Sequence, residues 1–189
     1  MEKKKLIIEA TIELINELGF LNFSIGKIAN RINVSKGVIS YHFPSKELLL
    51  QSVVMDYYEN AAKYMEQHLR IDKGAMDTLS SYIESCLYFS YENKKQTITI
   101  VDIVLNCRNK DGELLFQGDD TSIYQPLIEI FKYGQEVEKV YRNFPPEFMA
   151  KCVRNVIDSV SVSIAKNEID NVDEAIREVK TIFESATKL

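Results

Sequence analysis

Between Phe23 and Ser45 the chain carries three serine-led helix starts in close succession, and this cadence leaves little choice of local fold. A serine one residue ahead of a helix accepts a hydrogen bond from an otherwise free amide of the first turn. Ser24 is such a cap, with Phe23 before it and Ile28 placed to close a hydrophobic staple, so a helix is predicted from Ile25. Its buried face is Ile25, Ile28, Ala29 and Ile32, and Ala29 is small enough to let another helix cross closely. Asn33 follows where the backbone must reverse with positive φ, a conformation that Asn tolerates best after Gly. Val34 and Ser35 repeat the staple and cap, predicting a short helix from Lys36 to about Phe43 that Pro44 stops. Ser45 caps a longer helix, and upstream Ile7, Ala10, Leu14, Ile15 and Leu18 mark a first helix that Gly19 ends. Two short helices joined by a turn of about three to four residues, with Ala29, Asn33 and Ile39 at the crossing, meet the requirements of a helix-turn-helix.

With Ile39 and Phe43 pointing inward, Lys36, Gly37, Ser40 and Tyr41 share the outward face of the third helix. Their chemistry suits a DNA groove. Lys36 can donate to guanine, Ser40 to bases or phosphate, Gly37 permits close backbone approach, and Val38 can meet a thymine methyl at the edge. Tyr41, His42 and Lys46 suit phosphate, and the helix starts at Ser24 and Ser45 present free amides to it. Lys27 and Ser35 complete the candidate DNA-contacting set. The overall charge of −5 argues against a nucleic-acid binder, but its distribution does not. Residues 1–50 hold seven Lys/Arg against five Asp/Glu, and the remainder sixteen against twenty-three, so a weakly basic module precedes an acidic body.

The run GKIANRINVSKGVISYHFPSKELL, from Gly26 to Leu49, resembles the DNA-binding signature of the TetR/AcrR repressor family. Within this run Gly26, Asn33 and Ser40 depart from the family's usual residues. Gly26 stands where many members place a longer, often basic side chain, Ser40 where a Tyr is usual, and Asn33 where the turn commonly has Gly. The resemblance implies an all-α protein: a three-helix helix-turn-helix domain over residues 1–46, then a larger helical ligand-binding and dimerisation domain over 47–189. It implies a dimer on palindromic double-stranded operator DNA, released by a small-molecule effector.

The body reads as helical throughout, with helices to about Leu69, from Ala75 to Glu92, Gln96 to Cys107 and Ser122 to Val137, and another opened by Pro145 and Pro146. In the last two helices, Val153, Val156, Ile157, Val160 and Ile164, then Val179, Ile182 and Phe183, form apolar stripes. Packing within the chain explains these stripes; the resemblance implies instead a four-helix dimer interface, with Ser159, Ser161, Ser163 and Ala165 permitting close approach. Thr99, Asp102 and Asn106 make a polar stripe that either lines a pocket, with Tyr57, Tyr64, Tyr82, Cys86 and Phe89 as walls, or faces water. Residues 109–120 read as a loop with solvated acids.

No phosphate-binding loop, dinucleotide fingerprint, GxSxG or metal-ligand spacing occurs, so neither an enzyme nor a cofactor is expected. Glu9 and Glu13 interrupt the apolar run after Lys3, Lys4 and Lys5, and no stretch is long enough to span a membrane, so a cytoplasmic protein is expected. Cys86, Cys107 and Cys152 read as reduced core residues. The alternative function is a DNA-bound scaffold or nucleoid-associated protein without an inducer.

Overall fold

The computed structural model describes residues 2–116 and 121–189. Among these the chain is all-α, with nine α-helices, two 3-10 turns and isolated β-bridges only. The helices are α1 (Glu2–Leu18), α2 (Ile25–Arg31), α3 (Lys36–His42), α4 (Lys46–His68), α5 (Ala75–Glu92), α6 (Lys94–Asn106), α7 (Gln125–Glu136), α8 (Pro146–Ala165) and α9 (Val172–Thr187). The helix expected from Ser122 is divided: a 3-10 turn covers Thr121–Tyr124 and α7 starts at Gln125. Pro126 explains the boundary, because a proline lacks the amide an interior helical position needs and so sits in a first turn. Of the expected loop at 109–120, residues 117–120 lie outside the described residues.

The chain forms two compact units, residues Met1–Asn60 with Lys95–Gly118, and residues Ala61–Lys94 with Asp119–Leu189. The first therefore extends beyond the expected 1–46. The reason is its core, where Ile7, Leu14, Ile15, Ile28, Ile39 and Phe43 are joined by Leu49, Leu50 and Val53 of α4 and by Ile100, Ile103 and Cys107 in or just after α6. Polar contacts reinforce this arrangement. Asn16 of α1 donates from Nδ2 to the Thr99 hydroxyl at 2.5 Å and to the Lys95 carbonyl at 3.0 Å.

In the second unit α5 packs against α7, α8 and α9 and buries Leu79, Tyr82, Ile83 and Leu87 among Phe131, Val153, Ile157, Ile176 and Phe183. Gly134 in α7 lies against the ring of Tyr141, whose hydroxyl donates to the Ala75 carbonyl at 2.8 Å. Ser90 of α5 and Ser161 of α8 meet hydroxyl to hydroxyl at 3.0 Å inside the unit. The three cysteines are free: Cys107 is buried, Cys86 and Cys152 half-buried.

Candidate nucleic-acid interface

The local devices read from the sequence operate as expected in the first unit. Gly19 has φ 78° and ends α1, and Asn33 has φ 52° at the reversal between α2 and α3. Ser24 accepts from the Lys27 amide at 3.3 Å, Ser35 from Val38 at 3.4 Å and Ser45 from Leu48 at 3.2 Å. Each cap satisfies an orphan amide and contributes about 1 kcal/mol to starting its helix. Short helices of two turns do not persist alone, so α2 and α3 are held by burial of Ile28, Ala29 and Ile39, each at most 2 % exposed.

Burial of Ile39 and Phe43 fixes the rotation of α3 and turns its other face outward. Lys36, Gly37, Ser40 and Tyr41 are exposed there, Tyr41 at 84 %, while Val38 and His42 are half-buried at the margins. The His42 ring meets Tyr41 edge-on at 5.1 Å. Small groups at Gly37 and Ser40 between a cationic end and an aromatic end give a ridge that a major groove can admit, with donors for base edges and for phosphate.

The cations around this face differ in freedom. The Lys46 ammonium sits 4.1 Å from the Phe23 ring centroid and 5.4 Å from that of Phe20, an aromatic seat that holds its charge at the start of α4. Lys27 donates from Nζ to the Asn22 carbonyl at 2.7 Å. Arg31 is committed to α1, paired with Glu17 at 2.5 Å and Glu13 at 3.4 Å. Its hydrogen bonds to Glu17 hold the guanidinium above its ordinary pKa and the Glu17 carboxyl below its own. Lys36 lies across Gly26: a Cβ added at Gly26 would come 2.9 Å from Lys36 Cε. Neither the aromatic seat nor the Gly26 contact is legible in the sequence. The Phe20, Phe23 and Lys46 spacing has no short-range pattern, and a missing side chain gives no periodic signal.

The residues expected to line a ligand pocket fall into both units. In the first, Thr99 is buried and bound by Asn16, the Tyr57 hydroxyl meets that of Thr97 at 2.9 Å, Asp102 is half-buried, and Asn106 is exposed and donates to the Asp102 carbonyl. The polar stripe thus does not act as one surface, since its inner end is spent on α1. In the second, Tyr64 stacks on His68 at 4.1 Å and meets Phe89 at 5.6 Å. Tyr82 and Cys86 lie against Arg154, which pairs with Asp158 at 2.7 Å. Burial pushes the Tyr82 phenol up to about 12 and the Cys86 thiol up to about 11. A cleft of about 500 Å³ between α5 and α9 is lined by other residues, including Ile83, Glu84, Tyr88, Asp173, Ile176 and Lys180. Glu84 there takes Lys180 at 2.8 Å and Arg70 at 3.5 Å.

Much of the expected dimer stripe lies inside the chain. Val153, Ile157, Ile164, Val179 and Phe183 are buried within the chain's own core, as are Ser161 and Ala165. A side chain covered by its own α5 or α7 has no surface left for a partner, and the apolar period of an amphipathic helix marks its innermost face. Val156 and Val160 are half-buried against the same core, whereas Ile182 on α9 is 56 % exposed and Phe148 on α8 is 66 % exposed.

Caps, crossing residues, reversed Asn33 and an outward α3 define the first unit as a helix-turn-helix module. Residues 7–53 match the family described as bacterial regulatory proteins, tetR family. It is 43 % identical over 58 residues to the uncharacterized HTH-type transcriptional regulator YuxN of Bacillus subtilis (strain 168), covering 31 % of this chain and 20 % of that protein. It is 36 % identical over 67 residues to the HTH-type transcriptional regulator BetI of Yersinia pestis (strain Pestoides F), covering 35 % and 34 %. The likeness thus spans about a fifth to a third of these relatives' length. In fold, the chain is similar to a TetR transcription regulator from Haloarcula marismortui ATCC 43049, with a TM-score of 0.81 at 17 % identity over 100 % of this chain and 99 % of the other. It is also similar to the TetR family transcriptional regulator PfmR from Thermus thermophilus, with a TM-score of 0.74 at 18 % identity over 93 % and 95 %.

Proposed function

We propose that this chain is a cytoplasmic, sequence-specific transcriptional regulator that binds palindromic operator DNA as a homodimer and releases it when a small molecule binds its second unit. The observation that carries the reading is the face of α3: two buried anchors, Ile39 and Phe43, present Lys36, Gly37, Ser40 and Tyr41 outward beside the seated Lys46. Base edges are read by Lys36 and Ser40, with Gly37 giving close approach and Val38 meeting a thymine methyl. Phosphates are held by Tyr41, His42, Lys27 and Lys46, which fix register without reading sequence. The amides at the Ser24 and Ser45 helix starts add to that positioning.

A dimer supplies two such faces about one DNA turn, roughly 34 Å, apart. Phe148 and Ile182, left exposed on α8 and α9, support a partner surface formed by the outer sides of these helices. The family and the relatives named as transcriptional regulators support regulation, and repression is the mode proposed. Ligand and operator are coupled reciprocally, so operator must weaken ligand binding by the factor by which ligand weakens operator binding.

The test is selection of sites from random duplex DNA with the purified full chain, repeated at raised salt. Enrichment of one palindrome is expected. Salt-sensitive binding without any enriched sequence would replace this reading with that of a DNA-bound scaffold.

A further inference from the structure

We infer that Gly26 is a specificity-determining position that acts through Lys36: with no side chain on α2 at this point, the Lys36 stem lies down across the helix, and this sets where its ammonium meets the DNA. The inference rests on the DNA-reading function proposed above and names how one of its readers is aimed.

A Cβ at Gly26 would stand 2.9 Å from Lys36 Cε, closer than real side-chain carbons approach, and 3.4 Å from Lys36 Nζ. The nearest other atom is Ser24 Oγ at 3.9 Å, so Lys36 is what fills the space a side chain at this position would take. The two residues come from different helices. Lys36 is the first residue of α3 and Gly26 the second of α2. Backbone rotation explains nothing here, because Gly26, unlike Gly19, Gly74 and Gly112, does not have positive φ. Helix propensity opposes a glycine inside α2. What the glycine supplies is the floor under the Lys36 stem.

The obstructing atoms belong to the far end of a flexible, exposed side chain. Adding a methyl at 26 therefore leaves the helix crossing alone and lifts Lys36 away, moving a donor on the outward face by a distance that matters to a hydrogen bond of about 3 Å. Gly26 is a positioning residue, and its effect should exist only while Lys36 does.

The experiment selects sites from one random duplex library with full-length wild type, Gly26→Ala, Lys36→Ala and the double variant, with thermal unfolding of each protein. Gly26→Ala is expected to unfold no earlier than wild type, yet to change base preference by about tenfold at the one half-site position that Lys36→Ala also alters. In the Lys36→Ala background the Gly26→Ala change should have no further effect. A Gly26→Ala profile identical to wild type, or a shift that persists without Lys36, overturns the inference. A wild type that selects no sequence overturns the DNA-reading function and this inference with it.

Discussion

Gly134→Ala should destabilise the second unit by about 3 kcal/mol, although alanine is the better helix former. Gly134 is buried in the interior of α7, and a methyl there would overlap the Tyr141 ring and come 3.0 Å from the Ala75 Cβ. That ring has little freedom to move. The Val140 amide donates to the Gly134 carbonyl at 3.0 Å, the ring packs edge-on against Phe131 at 5.6 Å, and its hydroxyl donates to Ala75 at 2.8 Å. Overpacking a filled core costs up to about 3 kcal/mol. Breaking the buried hydroxyl bond adds about 1 kcal/mol, and replacing a helical glycine returns about 1 kcal/mol. Urea unfolding followed by circular dichroism gives the value from the shift in midpoint at unchanged slope. In a Tyr141→Ala background, which removes the obstructing ring, Gly134→Ala should become neutral or stabilising. Wild-type stability for Gly134→Ala, or the same loss with and without Tyr141, would refute the packing argument.

Lys46→Ala should weaken binding to all duplexes alike and make the slope of log affinity against log salt shallower by about 0.9, the effect of one phosphate no longer neutralised, whereas Lys36→Ala should flatten base preference; titrations at several salt concentrations separate the two roles, and the opposite pattern would exchange them. Burial pushes the Cys86 thiol up to about 11, so its alkylation rate by iodoacetamide should still be climbing at pH 10, and a plateau near pH 9 would contradict its desolvation. Burial tends to raise the Glu84 carboxyl, but hydrogen bonds and charge from Lys180 and Arg70 outweigh this and hold it below its ordinary value of 4.5. A lowered carboxylate contributes stability that is present above the unfolded value and lost as pH falls through the folded one. Glu84→Gln should therefore lower stability at pH 7 and flatten the decline below about pH 4.5, as read from unfolding midpoints across that range.

Where structure follows from neighbours within four or five positions, it is legible in the sequence. Ser24, Ser35 and Ser45 cap helices because an amide three residues on needs an acceptor, and Asn33 turns because few residues accept its φ. The face of α3 follows from Ile39 and Phe43 alone. Where distant segments decide, the structure is not legible. Periodicity identifies the inner faces of α8 and α9 but not what covers them, so the stripe through Val153 and Phe183 reads equally as packing within the chain or as a partner surface, and only the placement of α5 and α7 shows that it is buried. Thr99 reads as lining a pocket or facing water because nothing in its own helix announces Asn16, 83 positions away, as its partner. The meeting of Lys36 with Gly26 is of the same kind, visible only once two helices are set side by side.

The first unit is not contiguous in the chain, because Ile100, Ile103 and Cys107 of its core arrive only after residues 61–94 of the other unit. On the ribosome the helix-turn-helix head must wait, incomplete, while α5 is made, and it can close only once α6 has emerged. Grafting follows the same logic: a head transplanted to a foreign body by joining at residue 46 would leave behind Leu49, Leu50, Val53 and the α6 side chains that seal it. A chimera that keeps the head intact has to carry two pieces of chain, 1–60 and 95–118, and a head cut from its body after residue 46 should expose apolar core and aggregate.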